Sequence, residues 1–171
     1  ALHSLLDRHR KLELPNGEVL SLREDTYIFG TMNPTSLRDY AGTQSLNKAF
    51  ADRWVIWDKP FPNKVQLDEI FNKRYPKLQK EYKELIIKLA TEINNSFMSD
   101  DISINIETPM SLRTIVERIP IGLDVYANST DPLKDTWENF VLPHVNKEDL
   151  DHYKTLWNTI VRKGPSIKPK L

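Results

Sequence analysis

Cysteine is absent from all 171 residues, so disulfides, thiolate metal sites and cysteine nucleophiles are excluded together. Net charge is missing too. The 24 Lys and Arg balance the 24 Asp and Glu, which leaves no bulk attraction to nucleic acid or to an anionic membrane; such a partner would have to be met through a local patch. No apolar run approaches the roughly 20 residues of a bilayer span, and the first residues lack the basic-then-apolar pattern of a signal peptide. The expectation is a soluble, cytoplasmic protein with no membrane partner, and nucleic acid is not expected either. Glycine-rich phosphate loops and a Gly-x-Ser-x-Gly elbow are also lacking. His3, His9, His144 and His152 show no pair at helical metal spacing beside a carboxylate. They read as surface or half-buried residues, and no metal site is expected.

What is present is organised around Tyr27 to Trp57. A short apolar run, Tyr27-Ile28-Phe29-Gly30-Thr31, ends in Met32-Asn33-Pro34 and opens into a polar loop. A short helical pattern and a second apolar run, Val55-Ile56-Trp57, follow. The pattern predicts two short buried strands. Open α/β sheets place their chemistry at the ends of such strands, which makes Asn33, Asp52 and Arg53 the first candidates for a site. Upstream, Ala1 to Arg10 carries Leu2, Leu5 and Leu6 on one helical face, and it starts without a capping residue, as a chain cut inside an element would. Next, Leu12 and Leu14 alternate with charge, Asn16-Gly17 supplies a turn with φ > 0, and Val19 to Leu22 return, which predicts a β-hairpin.

Beyond the stiff break Asp58-Lys59-Pro60-Phe61-Pro62 the pattern turns helical, with no convincing strand. Asn63 can cap a helix to about Arg74, and Pro76 can start a second that carries Leu78, Tyr82, Leu85, Ile86, Leu89 and Ile93. A third is predicted to begin near Thr108-Pro109, with two more from Asp131-Pro132 and Asn146. The tail, residues 163–171, reads as frayed. Two domains are therefore expected: residues 1–60 as an incomplete α/β piece and residues 61–171 as an all-α domain.

Gly30-Thr31-Met32-Asn33-Pro34, followed by Tyr40-Ala41-Gly42-Thr43-Gln44-Ser45-Leu46-Asn47-Lys48-Ala49-Phe50-Ala51-Asp52-Arg53-Trp54, resembles the stretch from sensor 1 to the arginine finger in the MoxR-type AAA+ ATPases. Within that group it is most similar to the cobaltochelatase small subunit and to the ATPases that activate nitric oxide reductase and Rubisco. The Pro15-Asn16-Gly17-Glu18 hairpin fits the β-hairpin that precedes sensor 1 in that clade. Thr108-Pro109-Met110-Ser111-Leu112-Arg113-Thr114-Ile115 resembles the opening of the lid helix that carries the sensor-2 arginine. The resemblance is dense over residues 11–57 and thin beyond Pro60.

It implies the C-terminal part of an AAA+ core, with the pre-sensor-1 hairpin and the last sheet strands, followed by a helical lid domain. Asn33 would be sensor 1, its amide placed to hydrogen-bond the γ-phosphate and the attacking water; the plainer alternative is an Asn-Pro turn ending a strand. Arg53 would be the finger that reaches a neighbouring subunit's nucleotide, against the alternative of a local ion pair with Asp52 or Glu69. Arg113 would be sensor 2, against a helix-surface arginine. Because Met110 stands where many relatives have their arginine, Arg118 is held in reserve.

The departures matter as much. Neither Gly-x-x-x-x-Gly-Lys-[Ser/Thr] nor an apolar strand ending in Asp-Glu occurs in the sequence, so the principal phosphate and magnesium contacts are missing and this chain alone should be inactive. The implied whole is an ATPase using ATP and Mg2+, assembled as a homo-oligomeric ring of hexamer type. It would remodel or activate a client protein, of the kind that carries a von Willebrand A domain. Two alternatives stand beside this reading: a non-catalytic assembly or binding module, and a GTP-dependent DNA restriction motor of the McrB type.

Overall fold

Asn16-Gly17 makes the turn that its residue types favour. In the structure, a computed structural model describing residues 3–32, 47–99, 101, 106–162, 165 and 167–171, Gly17 has φ of +81°, open to glycine without a Cβ penalty. The turn joins β1 (Lys11–Glu13) to β2 (Val19–Ser21) in antiparallel register, with Leu12 opposite Leu20. Leu14 N–H donates to Glu18 O at 2.8 Å and Gly17 N–H to Leu14 O at 2.9 Å. The hairpin belongs to the first of two compact units, Ala1–Lys59 and Pro60–Leu171. Their division falls at the stiff break around Pro60.

In the first unit, α1 (His3–Leu6) precedes the hairpin and α2 (Lys48–Ala51) follows it. Asn47 caps α2 by accepting the Ala49 N–H at 2.9 Å. Arg10 takes up φ of 48°, an unusual conformation for a residue with a Cβ, and its guanidinium donates to the carbonyls of Glu24 and Thr26. The strands anticipated at 27–31 and 54–57 are not formed among the described residues. Phe29 is 91% exposed, Val55 99% and Trp57 93%. The reason is physical: a strand persists through ladder partners and a buried face, and the only described sheet is the two-stranded hairpin. Trp54 is the exception to the exposure, lying over Gly30 and edge-on to Phe50 with ring centroids 5.8 Å apart.

The second unit is helical, with no strand among its described residues. Asn63 and Gln66 form a reciprocal capping box at the start of α3 (Lys64–Arg74), each side chain accepting the other's N–H at 3.0 Å. The next helix, α4, runs from Lys80 to Phe97 rather than from Pro76. Residues 76–78 instead form a turn that delivers Leu78 to the core at 2% exposure, and Leu78 N–H closes it on Tyr75 O at 3.1 Å. Along α4, Tyr82, Ile86, Leu89, Ala90, Ile93 and Phe97 form the buried stripe. That stripe is the centre of the unit, since α4 packs on α3, on α7 (Leu150–Ile160) and on the helical segment after Ser111.

That segment begins later than its Thr108-Pro109 signal predicts. Ser111 Oγ accepts the Thr114 N–H at 3.1 Å, and Leu112 and Arg113 are the first helical residues. Thr114–Arg118 is a π turn, closed by Ile119 N–H on Thr114 O, which leads into α5 (Ile119–Val125). Asp131 caps α6 (Pro132–Thr136) by accepting the Lys134 N–H at 3.1 Å, with Pro132 in the first turn. A second π turn, Trp137–Val141, follows. Before α7 a 3-10 turn occupies Lys147–Asp149, so the α-helix starts at Leu150 and not at Asn146. The tail is docked rather than frayed over residues 167–171. Tyr82 Oη donates to Ile167 O at 2.9 Å, and Lys170 N–H to Gln79 Oε1 at 3.1 Å.

Two consequences can be measured. A Cβ on Gly122 in α5 would stand 2.5 Å from Thr136 Cγ2 and 3.1 Å from a Phe140 ring carbon. Gly122→Ala should therefore lower stability by about 1–3 kcal/mol despite alanine's better helix propensity, as read from urea denaturation of the chain. Burial, with the Asp131 charge adding, pushes the Tyr82 phenol up to about 12 from an ordinary 10. The folded state thus holds this proton more tightly than the unfolded chain, so its contribution is complete below pH 10 and is lost as pH rises from there through 12. Tyr82→Phe should flatten the fall in stability over that window and raise hydrogen exchange at 167–171.

Candidate functional site

Arg53 follows the last turn of α2, where Arg53 N–H donates to Phe50 O at 3.2 Å. Its side chain folds back over its own unit. Nε donates to Asp7 Oδ1 at 2.6 Å, and Nη1 donates to the Ala49 carbonyl. The Arg53 side chain is 28% exposed and the Asp7 side chain 42%. The Asp7 hydrogen bond raises the Arg53 pKa, partial burial opposes it, and the charges of Asp7 and Asp52 add to the rise. The ion-pair partner is Asp7 rather than the adjacent Asp52, as a short helix followed directly by a turn carries the fork away from its sequence neighbour. Around this pair Leu6, Arg10, Tyr27, Phe29 and Val55 line an open recess. Chemically, a fixed and permanently charged fork beside open space suits an oxyanion or a phosphate.

Arg113 belongs to the second unit and is exposed at the first helical turn after Ser111. The backbone leading to it is gripped tightly. Asp149, 5% exposed, accepts the N–H of Glu107 at 3.1 Å on each oxygen and the N–H of Thr108 at 2.7 Å. Tyr153, one turn further along α7, donates Oη to Thr108 O at 2.7 Å. Burial, with the Asp149 charge second, pushes the Tyr153 phenol well above its ordinary range. Asn94 on α4 completes the grip by accepting the Met110 N–H at 2.8 Å and donating to Met110 O at 3.1 Å. Met110 itself is buried at 1% exposure, so the position where an arginine was considered is a core position. Arg118, at the end of the π turn, is half-buried.

Asn33 lies outside the described residues, as do residues 34–46. Among the described residues no group of three or more His, Asp or Glu side chains could hold a metal ion, and no helix is long and apolar enough to cross a membrane. No protein family, curated protein or solved structure matches this chain.

Sequence reasoning passed over Asp7, Asn94 and Asp149. Asn94 had a visible signal, being an amide at inner-face spacing between Ala90 and Phe97 on an otherwise apolar stripe. Asp7 and Asp149 had none, since each acts on backbone or side chains far along the chain. Asp149→Ala should cost about 3 kcal/mol by removing charge-assisted bonds from two backbone amides that stay partly buried. Asp149→Asn should recover less than half of that, because its amide can accept but presents a donor to one of the same N–H groups. Thermal and urea unfolding of the chain check both values.

Proposed function

We propose that this chain is the C-terminal part of a MoxR-type AAA+ ATPase, in which the first unit completes an α/β core and the second is the helical lid. The full-length protein would couple ATP hydrolysis to the remodelling of a client protein within a homo-oligomeric ring, with a von Willebrand A domain as the kind of client the resemblance implies. The observation that carries the reading is Arg53: a part-exposed guanidinium, held at two nitrogens directly after a short helix, at the position the resemblance gives the finger. The exposed apolar residues of 27–29 and 55–57 support it as well, since segments destined to be central strands of an α/β sheet are apolar on both faces and are covered only where the neighbouring strands and crossover helices are present.

On this reading each residue has a task set by its chemistry. ATP with Mg2+ supplies the phosphoryl group and its charge neutralisation, and the main ligands for both lie outside this sequence. Arg53 reaches the neighbouring subunit's phosphates, where a planar cation is worth most as negative charge shifts in the transition state. Asn33 holds the attacking water, and Arg113 contacts the phosphates from the lid of its own subunit, with Arg118 as the alternative. A non-catalytic assembly module is the second reading. The Asp7–Arg53 bond is the observation on its side, because a guanidinium paired within its own chain can be wholly structural.

Arg53→Ala in the full-length protein separates the two. As a finger, its loss should leave ATP binding nearly intact and cut turnover by on the order of a hundredfold or more. Mixed rings sharpen the test. Subunits lacking Arg53, combined with subunits lacking the P-loop lysine, should recover hydrolysis where an intact finger meets an intact P-loop. Absence of recovery, with mixing confirmed by mass spectrometry, returns Arg53 to a role within its own chain.

A further inference from the structure

Arginine is a poor catalyst when its fork is loose. Its long side chain carries much rotamer entropy, and a charge that must be oriented during the reaction loses much of its advantage over solvent. Arg53 is not loose. Nε is engaged by a carboxylate at 2.6 Å and Nη1 by a backbone carbonyl, which fixes both the position of the guanidinium and the direction of its plane. Among the described residues no hydrogen bond is drawn from Nη2, so that end of the fork is left for an incoming oxyanion.

We infer that Asp7 is the positioning residue of Arg53, orienting the guanidinium through Nε so that Nη2 and the free donor of Nη1 face a phosphate-type oxyanion. The inference rests on the finger reading of Arg53. The contact joins elements far apart in the chain, the turn after α1 and the turn after α2, so it places the arginine relative to the body of its unit and not merely relative to its own helix. The contacts and the recess agree, because Asp7 and Arg53 both line the open space beside Tyr27 and Val55. A carboxylate is suited to the task. It accepts from Nε with charge assistance and leaves the fork cationic, whereas a neutral partner would hold it less firmly.

The experiment compares Asp7→Ala, Asp7→Glu, Arg53→Ala and the double variant Asp7→Ala/Arg53→Ala in the full-length protein, after thermal melts and gel filtration have established folding and ring assembly. Outer partners that orient metal ligands contribute about tenfold or more to affinity or activity, and an arginine fork oriented by a carboxylate should depend on it to a similar degree. Asp7→Ala is therefore expected to lower kcat by about tenfold with KM for ATP unchanged, Asp7→Glu to recover most of the loss, and the double variant to be no slower than Arg53→Ala. In this 171-residue chain, nitrogen-15 spectra should show a slowly exchanging Arg53 Nε–H that is lost in Asp7→Ala and kept in Asp7→Glu; this readout holds even if one variant fails to assemble. Additive losses in the double variant, an Asp7→Ala kcat that is unchanged or raised, or an Arg53 Nε–H indifferent to Asp7 would overturn the inference while leaving the finger standing. An Arg53→Ala protein with undiminished turnover removes the finger reading itself, and the role of Asp7 with it.

Discussion

A backbone N–H taken out of water must find an acceptor, and in this protein that requirement is met at one place on which the helical unit depends. Residues 107–110 are neither helix nor strand, so they have no ladder or turn of their own to satisfy them. Asp149 takes two of their amides, Asn94 serves both polar groups of Met110, and Tyr153 donates to Thr108 O. These partners come from α4, from α7 and from the 3-10 turn that leads into α7, and the apolar faces of the two helices pack on each other. Loss of one partner therefore leaves buried polar groups in a low-dielectric interior, where they cost more than the bond itself contributes. The same contacts fix where the segment carrying Arg113 begins.

The first unit is held by other means. Its described apolar residues form no stripe comparable to α4, and several stand in solvent. Local chemistry does the holding: a glycine turn, an asparagine cap, Arg10 reaching the carbonyls of Glu24 and Thr26, and the Asp7–Arg53 pair. Polar contacts of this kind stabilise weakly one by one, at roughly 0.5–1.5 kcal/mol for a typical hydrogen bond. They do define orientation. A unit that fixes its arginine but leaves its apolar segments open has the character of a part awaiting neighbours, which is how it is used in the proposed ring.

What could be read from the sequence divides along the same line. Local devices were legible: Asn16-Gly17 gave the hairpin, Asn63 the start of α3, Asp131-Pro132 the start of α6, and the periodicity of Tyr82, Ile86, Leu89 and Ile93 the face of α4. Contacts remote in sequence were not. Pro76 looked like a helix start until Leu78 was claimed by the core. Thr108-Pro109 looks like another, but the N–H groups of Glu107 and Thr108 are claimed by Asp149. The tail has composition typical of fraying, and the Tyr82 hydroxyl, the Gln79 amide oxygen and the Lys168–Asn128 bond show why residues 167–171 dock. At the candidate site, Arg53 could be picked out by residue type and its place after a short helix, but its partner Asp7 could not, because the two lie 46 residues apart and nothing local to either marks the pairing.

The choice between Arg113 and Arg118 turns on helical phase, and the π turn decides how that phase runs. Along a uniform α-helix, residues 113 and 118 lie ~140° apart, and a buried stripe of Ile115, Val116 and Ile119 would leave both near its edges. The bond from Ile119 N–H to Thr114 O spans five residues, so one extra residue is accommodated in that turn and everything after it is rotated relative to everything before. Thr114, Ile115 and Val116 remain buried on one side of the insertion, Ile119 and Pro120 on the other, and Arg118 is drawn to half-burial between them. Arg113 lies ahead of the insertion. Its exposure is set by buried Met110, held through its backbone by Asn94, and by the Ser111 cap, so it is fixed by contacts independent of the π turn. Of the two arginines, Arg113 is the one already exposed, so its charge can extend from the surface of its own unit with no change in the helix that carries it.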